Sequence, residues 1–275
     1  MQLVVVANNK EKVVRRKSRK SVVGQVVLVL LGLELMFMAA FSTFQLPIGT
    51  GHNLLNYAHL ETRTLIAQLP ERFKNPIVTR FPEINATPGN VRYGSYTAQA
   101  PLAIFIGYVL GLPLAPIAAA LFLFLGLAGP LVHVHPFASG GGLGYYLEPG
   151  FGYLLGMIAA TWVVGLITAN KRTSLSQLLA VMTGLATVHL TGLLYLIGTC
   201  LVFGLFDGLG MMPSWHAWIF EEARNLSWYP LPYDFLFGLL AVGAGFPFRW
   251  LANMLTAPDI TSRNQSNKIR ELFQD

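Results

Sequence analysis

The sequence contains little charge for its length. Charged residues make up 12% of its 275 residues, and 53% are hydrophobic, whereas about a quarter of the residues in an average soluble protein are charged. Several apolar runs reach about 20 residues, the length at which a helix crosses a bilayer. This composition excludes an ordinary soluble protein and predicts a polytopic membrane protein.

Other absences narrow the class further. Cys200 is the single cysteine, so no intramolecular disulfide can form, and its apolar surroundings favour a buried packing residue over a reactive thiol. The G-x-x-x-x-G-K-[ST] pattern of a P-loop is missing, which predicts no ATP hydrolysis by that route. Ser139 lacks the G-x-S-x-G context of a nucleophile elbow.

Six apolar segments predict an all-α membrane domain of about six transmembrane helices within residues 22–255. Their predicted limits are 22–46, 98–112, 114–132, 152–168, 175–206 and 232–255. Helices are favoured because a chain in lipid must satisfy its own backbone hydrogen bonds. A basic segment, 1–21, precedes this domain, and a polar tail, 256–275, follows it.

Basic residues predict the orientation. Lysines and arginines crowd residues 10–20, directly before the first apolar segment. Such a run can bind nucleic acid, but its position beside a span favours a cytoplasmic anchor, and no nucleic-acid partner is predicted. Six crossings then place both termini in the cytoplasm of a multi-pass protein of the plasma (inner) membrane. Residues 48–97, 134–151 and 207–231 lie outside.

The long outer segment 48–97 contains a stretch with helical spacing of apolar residues. Leu60, Leu65, Ile66 and Leu69 fit a short amphipathic helix that lies on the membrane. A mobile connector is the alternative, and the sequence does not decide between them.

The stretch HPFASGGGLGYYLEPGFGYLLG, residues 135–156, predicts part of a ligand pocket at a membrane face. Glycines allow a backbone to approach a ligand or a neighbouring helix closely. Tyrosines offer a flat apolar face and a polar tip, which fits a ligand that is part ring and part polar edge. Gly152, Gly156 and Ala160 form a ridge of small residues that predicts close helix packing.

Two acidic residues lie in apolar segments. Asp234 is a functional candidate, because a carboxylate at membrane depth is costly, and it would accept hydrogen bonds from ligand N–H groups. The alternative is a cap at a helix start after Pro232. Glu34 has three open roles, which are ligand contact, subunit contact and proton relay.

The histidines raise the question of a metal site. His133 and His135 stand two residues apart, with no Cys, Asp or Glu beside them at zinc-motif spacing. We therefore predict no metal and no cofactor, and expect His189 to form hydrogen bonds within the bundle. A membrane enzyme that uses the histidines, Glu221 and Glu222 with a metal is a further hypothesis.

Residues 96–255 resemble the BioY family, the biotin-binding S components of energy-coupling-factor transporters. The matching pieces are Thr97-Ala98-Gln99, Gly107, Gly111, Gly140-Gly141-Gly142-Leu143-Gly144, Pro149 and Gly152-Tyr153-Leu154. HLTGLLYLIGT resembles the family's fifth helix, and LPYDFLFGLLA resembles its sixth helix, with Asp234 on the family's aspartate.

The resemblance implies an S-component bundle that binds biotin in a pocket open to the outside. A transmembrane T subunit and paired ATPases would drive uptake, within membrane lipid. The predicted ligand-binding residues are Gly141, Tyr145, Glu148, Tyr153 and Asp234.

The sequence also departs from the family. The family's lysine on the sixth helix falls on Phe237, and segment 48–97 is longer than the family needs. The small-residue motif for the T subunit is reduced to Ala39 and Thr43. These departures motivate an alternative, a structural or assembly subunit of a membrane complex that keeps the fold.

Overall fold

A computed structural model describes residues 21–49, 51–87, 89–133, 137, 141–169, 173–206 and 218–257. The predictions for the basic segment 1–20, for His135, for Gly140 and for the tail beyond residue 257 lie outside these residues.

The described chain is almost entirely helical. Its helices are α1 (Val22–Phe41), α2 (Gly51–Ala67), α3 (Glu71–Arg80), α4 (Gln99–Leu110), α5 (Leu114–Ala128), α6 (Phe151–Ile167), α7 (Ser174–Phe206), α8 (Trp218–Ala223), α9 (Leu231–Ala244) and α10 (Phe246–Leu255). A π-helical turn, Arg224–Trp228, joins α8 to α9. The predicted all-α class is confirmed, with one addition, the antiparallel strands β1 (Thr43–Pro47) and β2 (Tyr93–Thr97).

The core of the bundle surrounds α4. Ala103, Ile104 and Tyr108 of this helix are at most 1% exposed, and α4 packs against α1, α5, α6, α7, α9 and α10. A helix covered on all sides is expected to be apolar all round, as α4 is. Tyr108, on the last turn of α4, adds a hydroxyl that accepts from Gln177 of α7 at 3.0 Å.

The predicted ridge of small residues on α6 is confirmed. A Cβ at Gly156 would lie 2.8 Å from the carbonyl oxygen and 2.9 Å from the Cα of Val188 on α7. Ala160, one turn further along, is fully buried. The two helices therefore approach each other with backbone against backbone, which only small side chains permit.

The predicted number of six spans is not confirmed. Within the described ranges, three helices are long and apolar enough to cross a membrane, and a fourth span results if the bent pair that ends in α10 counts as one. The apolar helices α4 and α6 are shorter, with 12 and 17 residues.

Two of the predicted limits were wrong. The first span ends at Phe41, not at residue 46, because residues 43–47 leave the helix and pair with β2, from Thr43 opposite Thr97 to Pro47 opposite Tyr93. The sixth span is bent by 54° between α9 and α10. Pro247 stands at this bend, and a proline cannot continue the hydrogen-bond ladder of a helix.

The segment 48–97 is folded rather than a simple loop. Residues of the predicted amphipathic stretch do form helix α2, while its position on the membrane stays a prediction. Asn53 holds the two ends of this segment together, because its amide donates to the carbonyls of Ile48 at 2.7 Å and Arg92 at 2.9 Å. Its side-chain oxygen accepts from the N–H of Arg92 at 2.8 Å.

A buried arginine joins three helices at the opposite end of the bundle from the strand pair. Arg249 of α10 is 9% exposed. Its guanidinium donates to the carbonyl of Tyr108 near the end of α4, and lies 3.4 Å from the carbonyl and the hydroxyl of Thr168 at the end of α6. A cation at two helix C-termini donates to the carbonyls there and complements both helix dipoles.

Replacing Arg249 with methionine is expected to lower the free energy of unfolding by about 2–4 kcal/mol, because buried carbonyls lose a charged donor. Arg249→Lys keeps the charge but loses the planar fork, so its stability should be intermediate. Thermal unfolding in detergent measures both. Asn253→Ala, on the exposed side of α10, is the control, and equal melting temperatures for all variants would contradict the assigned role.

Candidate ligand-binding site

A cavity of about 310 Å³ opens at the end of the bundle that carries the strand pair. Its walls come from β2, α4, α6, α7 and α9, together with the turns that precede α6 and α9. The side chains that matter most for its chemistry are Tyr96, Gln99, Tyr145, Tyr153, His189 and Asp234. The volume lies at the lower limit of small-molecule pockets, which measure about 300–1,000 Å³.

Asp234 is the buried acid of this cavity. It is 3% exposed, and its Oδ1 accepts a hydrogen bond of 2.7 Å from the hydroxyl of Tyr96. Its Oδ2 lies 3.3 Å from Nε2 of His189. The carboxylate is therefore directed to the cavity wall, and no side chain caps the start of α9 in this structure, which excludes the capping alternative.

Tyr96 brings a donor to this acid from the strand pair. Burial raises the pKa of the Tyr96 hydroxyl, and the neighbouring Asp234 raises it further, so the hydroxyl stays protonated and donates. Its ring lies 5.8 Å from that of Tyr233 and 5.7 Å from that of Phe237. Phe237, at the position of the family's lysine, thus forms an aromatic support behind Tyr96.

A second set of hydrogen-bonded side chains reaches Asp234 through His189, at the carboxylate oxygen that Tyr96 does not contact. The Tyr153 hydroxyl lies 2.7 Å from Oγ of Ser227, and this oxygen lies 3.2 Å from Nδ1 of His189. All three residues are less than 10% exposed. The prediction that His189 forms hydrogen bonds within the bundle is confirmed.

Three of the five predicted site residues meet at this cavity, namely Tyr145, Tyr153 and Asp234. Gly141 lies elsewhere, because it packs against the backbone of Gly126 with a φ of +78°, where a side chain would be strained.

Gly141 and Gly142 therefore hold the chain against α5, where the N–H of Gly142 donates to the carbonyl of Gly126 at 3.0 Å. Glu148 is exposed and does not line the cavity.

The sequence did not single out Tyr96, Gln99 or Ser227 as site residues. Gln99 belongs to the Thr97-Ala98-Gln99 motif and Tyr96 directly precedes it, so the motif itself was a signal. Ser227 lies in the π-helical turn, a distortion that is frequent at functional sites but leaves no pattern in a sequence.

The hypothesis of a metal enzyme finds no site in the part of the chain that the structure describes. No group of three or more His, Cys, Asp or Glu residues there could hold a metal ion. His133 is exposed and has a left-handed backbone, with a φ of +61°.

Comparison with known proteins places the chain in a family. The model of the BioY family matches residues 87–244, more than half of the chain. A solved structure, described as the S-component for biotin from an ECF-type ABC transporter, matches with 15% identity and a TM-score of 0.47, over 83% of this chain and 90% of that chain. No curated protein matches. BioY S components are substrate-binding subunits of transporters and not enzymes. The chain is an integral membrane protein that belongs to the BioY family.

Proposed function

We propose that this protein is the substrate-binding component of a vitamin uptake transporter and that its ligand is biotin. The observation that carries the proposal is the buried carboxylate of Asp234 at the wall of a ligand-sized cavity. An ionisable group held inside a membrane protein is costly and marks a functional site. Asp234 also stands on the aspartate that the family uses, as the resemblance of its sixth helix implies.

The shape of the cavity supports a ring system with a polar edge. Tyr145 and Tyr153 offer aromatic walls, and Leu154 and Met157 offer apolar ones. Asp234 accepts from a ureido N–H group of biotin.

The valeryl tail extends into a neighbouring hollow of about 280 Å³ between the strand pair and α9. This hollow shares Ser95 and Asn225 with the cavity, and both can donate to a carboxylate at the end of the tail.

We infer that the cavity opens to the outside of the cell. Basic residues before α1 place the N-terminus in the cytoplasm under the positive-inside rule. α1 then ends on the outer side, where it enters β1, and the cavity lies beside this strand pair. Arg249 and the end of α10 lie at the cytoplasmic end.

Uptake requires partners, because a substrate-binding component supplies no energy. We propose a transmembrane T subunit with paired ATPases. The exposed face of α1 supports such a contact, since Leu31, Leu35 and Met38 are between 37% and 60% exposed. Glu34 is exposed on the same helix and does not line the cavity, which favours subunit contact over ligand contact.

Biotin should bind the purified protein saturably and with a stoichiometry of one. Isothermal titration in detergent measures the affinity, and the melting temperature should rise with biotin, because a ligand that binds only the folded state stabilises it by about 2.7 kcal/mol at a hundredfold excess over Kd. Valeric acid, which lacks the rings, is the control ligand. If a large excess of biotin produces no binding heat and no change in melting temperature, the proposal is contradicted. A stable co-purifying partner that is not an ATPase would then favour an assembly subunit.

A further inference from the structure

His189 presents a nitrogen atom with unusual surroundings. Its Nε2 is fully buried and lies 3.3 Å from Oδ2 of Asp234. The geometry does not align the ring N–H with that oxygen, and no other described atom forms a hydrogen bond with Nε2. Buried polar groups nearly always have a partner, which can be ordered water, so an unfilled one on a residue that lines a cavity is available to a ligand atom.

The hydrogen bonds behind His189 are compatible with a proton on Nε2, and the Asp234 oxygen that lies 3.3 Å from Nε2 favours the proton there. A hydroxyl has one hydrogen to donate. If Tyr153 donates to Ser227 across 2.7 Å, Ser227 can donate its own hydrogen to Nδ1 of His189 across 3.2 Å. A neutral imidazole that accepts at Nδ1 carries its hydrogen on Nε2. The cavity wall therefore holds an N–H donor directly beside a carboxylate acceptor.

We propose that His189 contacts the ligand, and that its Nε2–H donates to a carbonyl oxygen while Asp234 accepts the adjacent N–H. This inference rests on the proposed function and names the group that is recognised, the N–H–C=O edge of a cyclic urea. His189 on α7 supplies the donor that residue 237 of α9, a phenylalanine, cannot supply.

Other ligand groups fit this wall less well. A carboxylate would be repelled by Asp234, and an ammonium group would satisfy Asp234 but leave Nε2–H without an acceptor. An unpaired buried donor costs binding free energy, and sites built around such hydrogen bonds discriminate strongly against analogues that lack them. A group with a donor and an acceptor side by side satisfies both residues.

The test combines variants of the protein with analogues of the ligand. Isothermal titration compares biotin with its thiourea analogue, in which sulfur, a weak acceptor, replaces the ureido oxygen. The wild type should prefer biotin by about tenfold, the value expected for one buried hydrogen bond. In His189→Leu, biotin affinity should fall by about tenfold or more and this preference should shrink to about threefold or less.

Matched controls separate this role from a structural one. His189→Gln places an amide N–H near the position of Nε2 and should restore most of the affinity and the preference. Desthiobiotin, which keeps the ureido group and lacks the ring sulfur, should respond to each variant as biotin does. Ser227→Ala, which removes the hydrogen bond to Nδ1, should reduce the preference for biotin over the thiourea analogue to a value between those of the wild type and His189→Leu. It replaces His189→Leu as the test variant if that protein does not fold.

The outcomes are distinct. A wild type that binds biotin, with variants that keep its affinity and its preference over the thiourea analogue, would overturn the inference and leave the proposed function standing. A wild type that does not bind biotin would overturn both.

Discussion

Replacing Asp234 with asparagine is expected to reduce the affinity for biotin by about a hundredfold, since hydrogen bonds to a charged group contribute about 1.5–3 kcal/mol each. Asparagine has nearly the same shape and keeps an oxygen that can accept from the Tyr96 hydroxyl, now 2.7 Å from Oδ1. It loses the charge and the second acceptor, which the ligand N–H group requires. The variant should therefore fold and bind biotin about a hundredfold more weakly.

Titration calorimetry of the purified variant measures this loss, and its melting temperature without ligand reports the fold. Glu148→Gln is the matched control, because it also removes one negative charge but from an exposed side chain outside the cavity lining. Its affinity should equal that of the wild type. An Asp234→Asn protein that binds biotin within a factor of about three, less than one typical neutral hydrogen bond contributes, would refute a direct contact.

Replacing Gly156 with valine is expected to lower the free energy of unfolding by about 3 kcal/mol, at the upper end of the usual cost of overpacking a core. The added Cβ would lie 2.8 Å from a backbone oxygen of Val188, and backbone within a helix has little freedom to move aside. α6 and α7 would separate. Since His189 directly follows Val188 and Tyr153 lies one turn before Gly156, the cavity should also lose its ligand affinity.

Gly198→Ala is the control for this variant. It also lies on a helix that packs against α6, but a Cβ at Gly198 has no neighbour within 4 Å. Alanine favours a helix over glycine by up to about 1 kcal/mol, so stability should be unchanged or slightly higher. Size-exclusion chromatography after heating compares the three proteins. A Gly156→Val protein that is as heat-resistant as the wild type would contradict the close approach of α6 and α7.

The helices were predictable because their signal is local. An apolar run of the right length predicts a membrane helix without reference to the rest of the chain. The strand pair was not predictable in this way, since residues 43–47 continue the apolar run of α1 and their partners lie about 50 residues further along, at 93–97. Only the tertiary structure shows that the run changes from helix to strand.

The site was predictable where a residue is costly in its surroundings, as Asp234 is in an apolar segment. Glycine predicted site residues less well, because a backbone with positive φ and a close ligand contact both favour glycine. Gly141 has a positive φ and does not line the cavity. Arg249 gave no such signal, because its partners Tyr108 and Thr168 lie on two other helices. Partners distant in sequence leave no trace in the composition around a residue.

Asn53 holds the two ends of segment 48–92 together, and this has a consequence for the insertion or replacement of that segment. Pro47 and Tyr93 stand opposite each other in the strand pair, so the chain leaves the helix bundle and returns to it at one point. Segments whose two ends are adjacent are the sites where whole domains are gained, lost or exchanged without disturbing the host. A fluorescent reporter grafted between these two residues would therefore sit beside the cavity while α1 and α4 keep their mutual register.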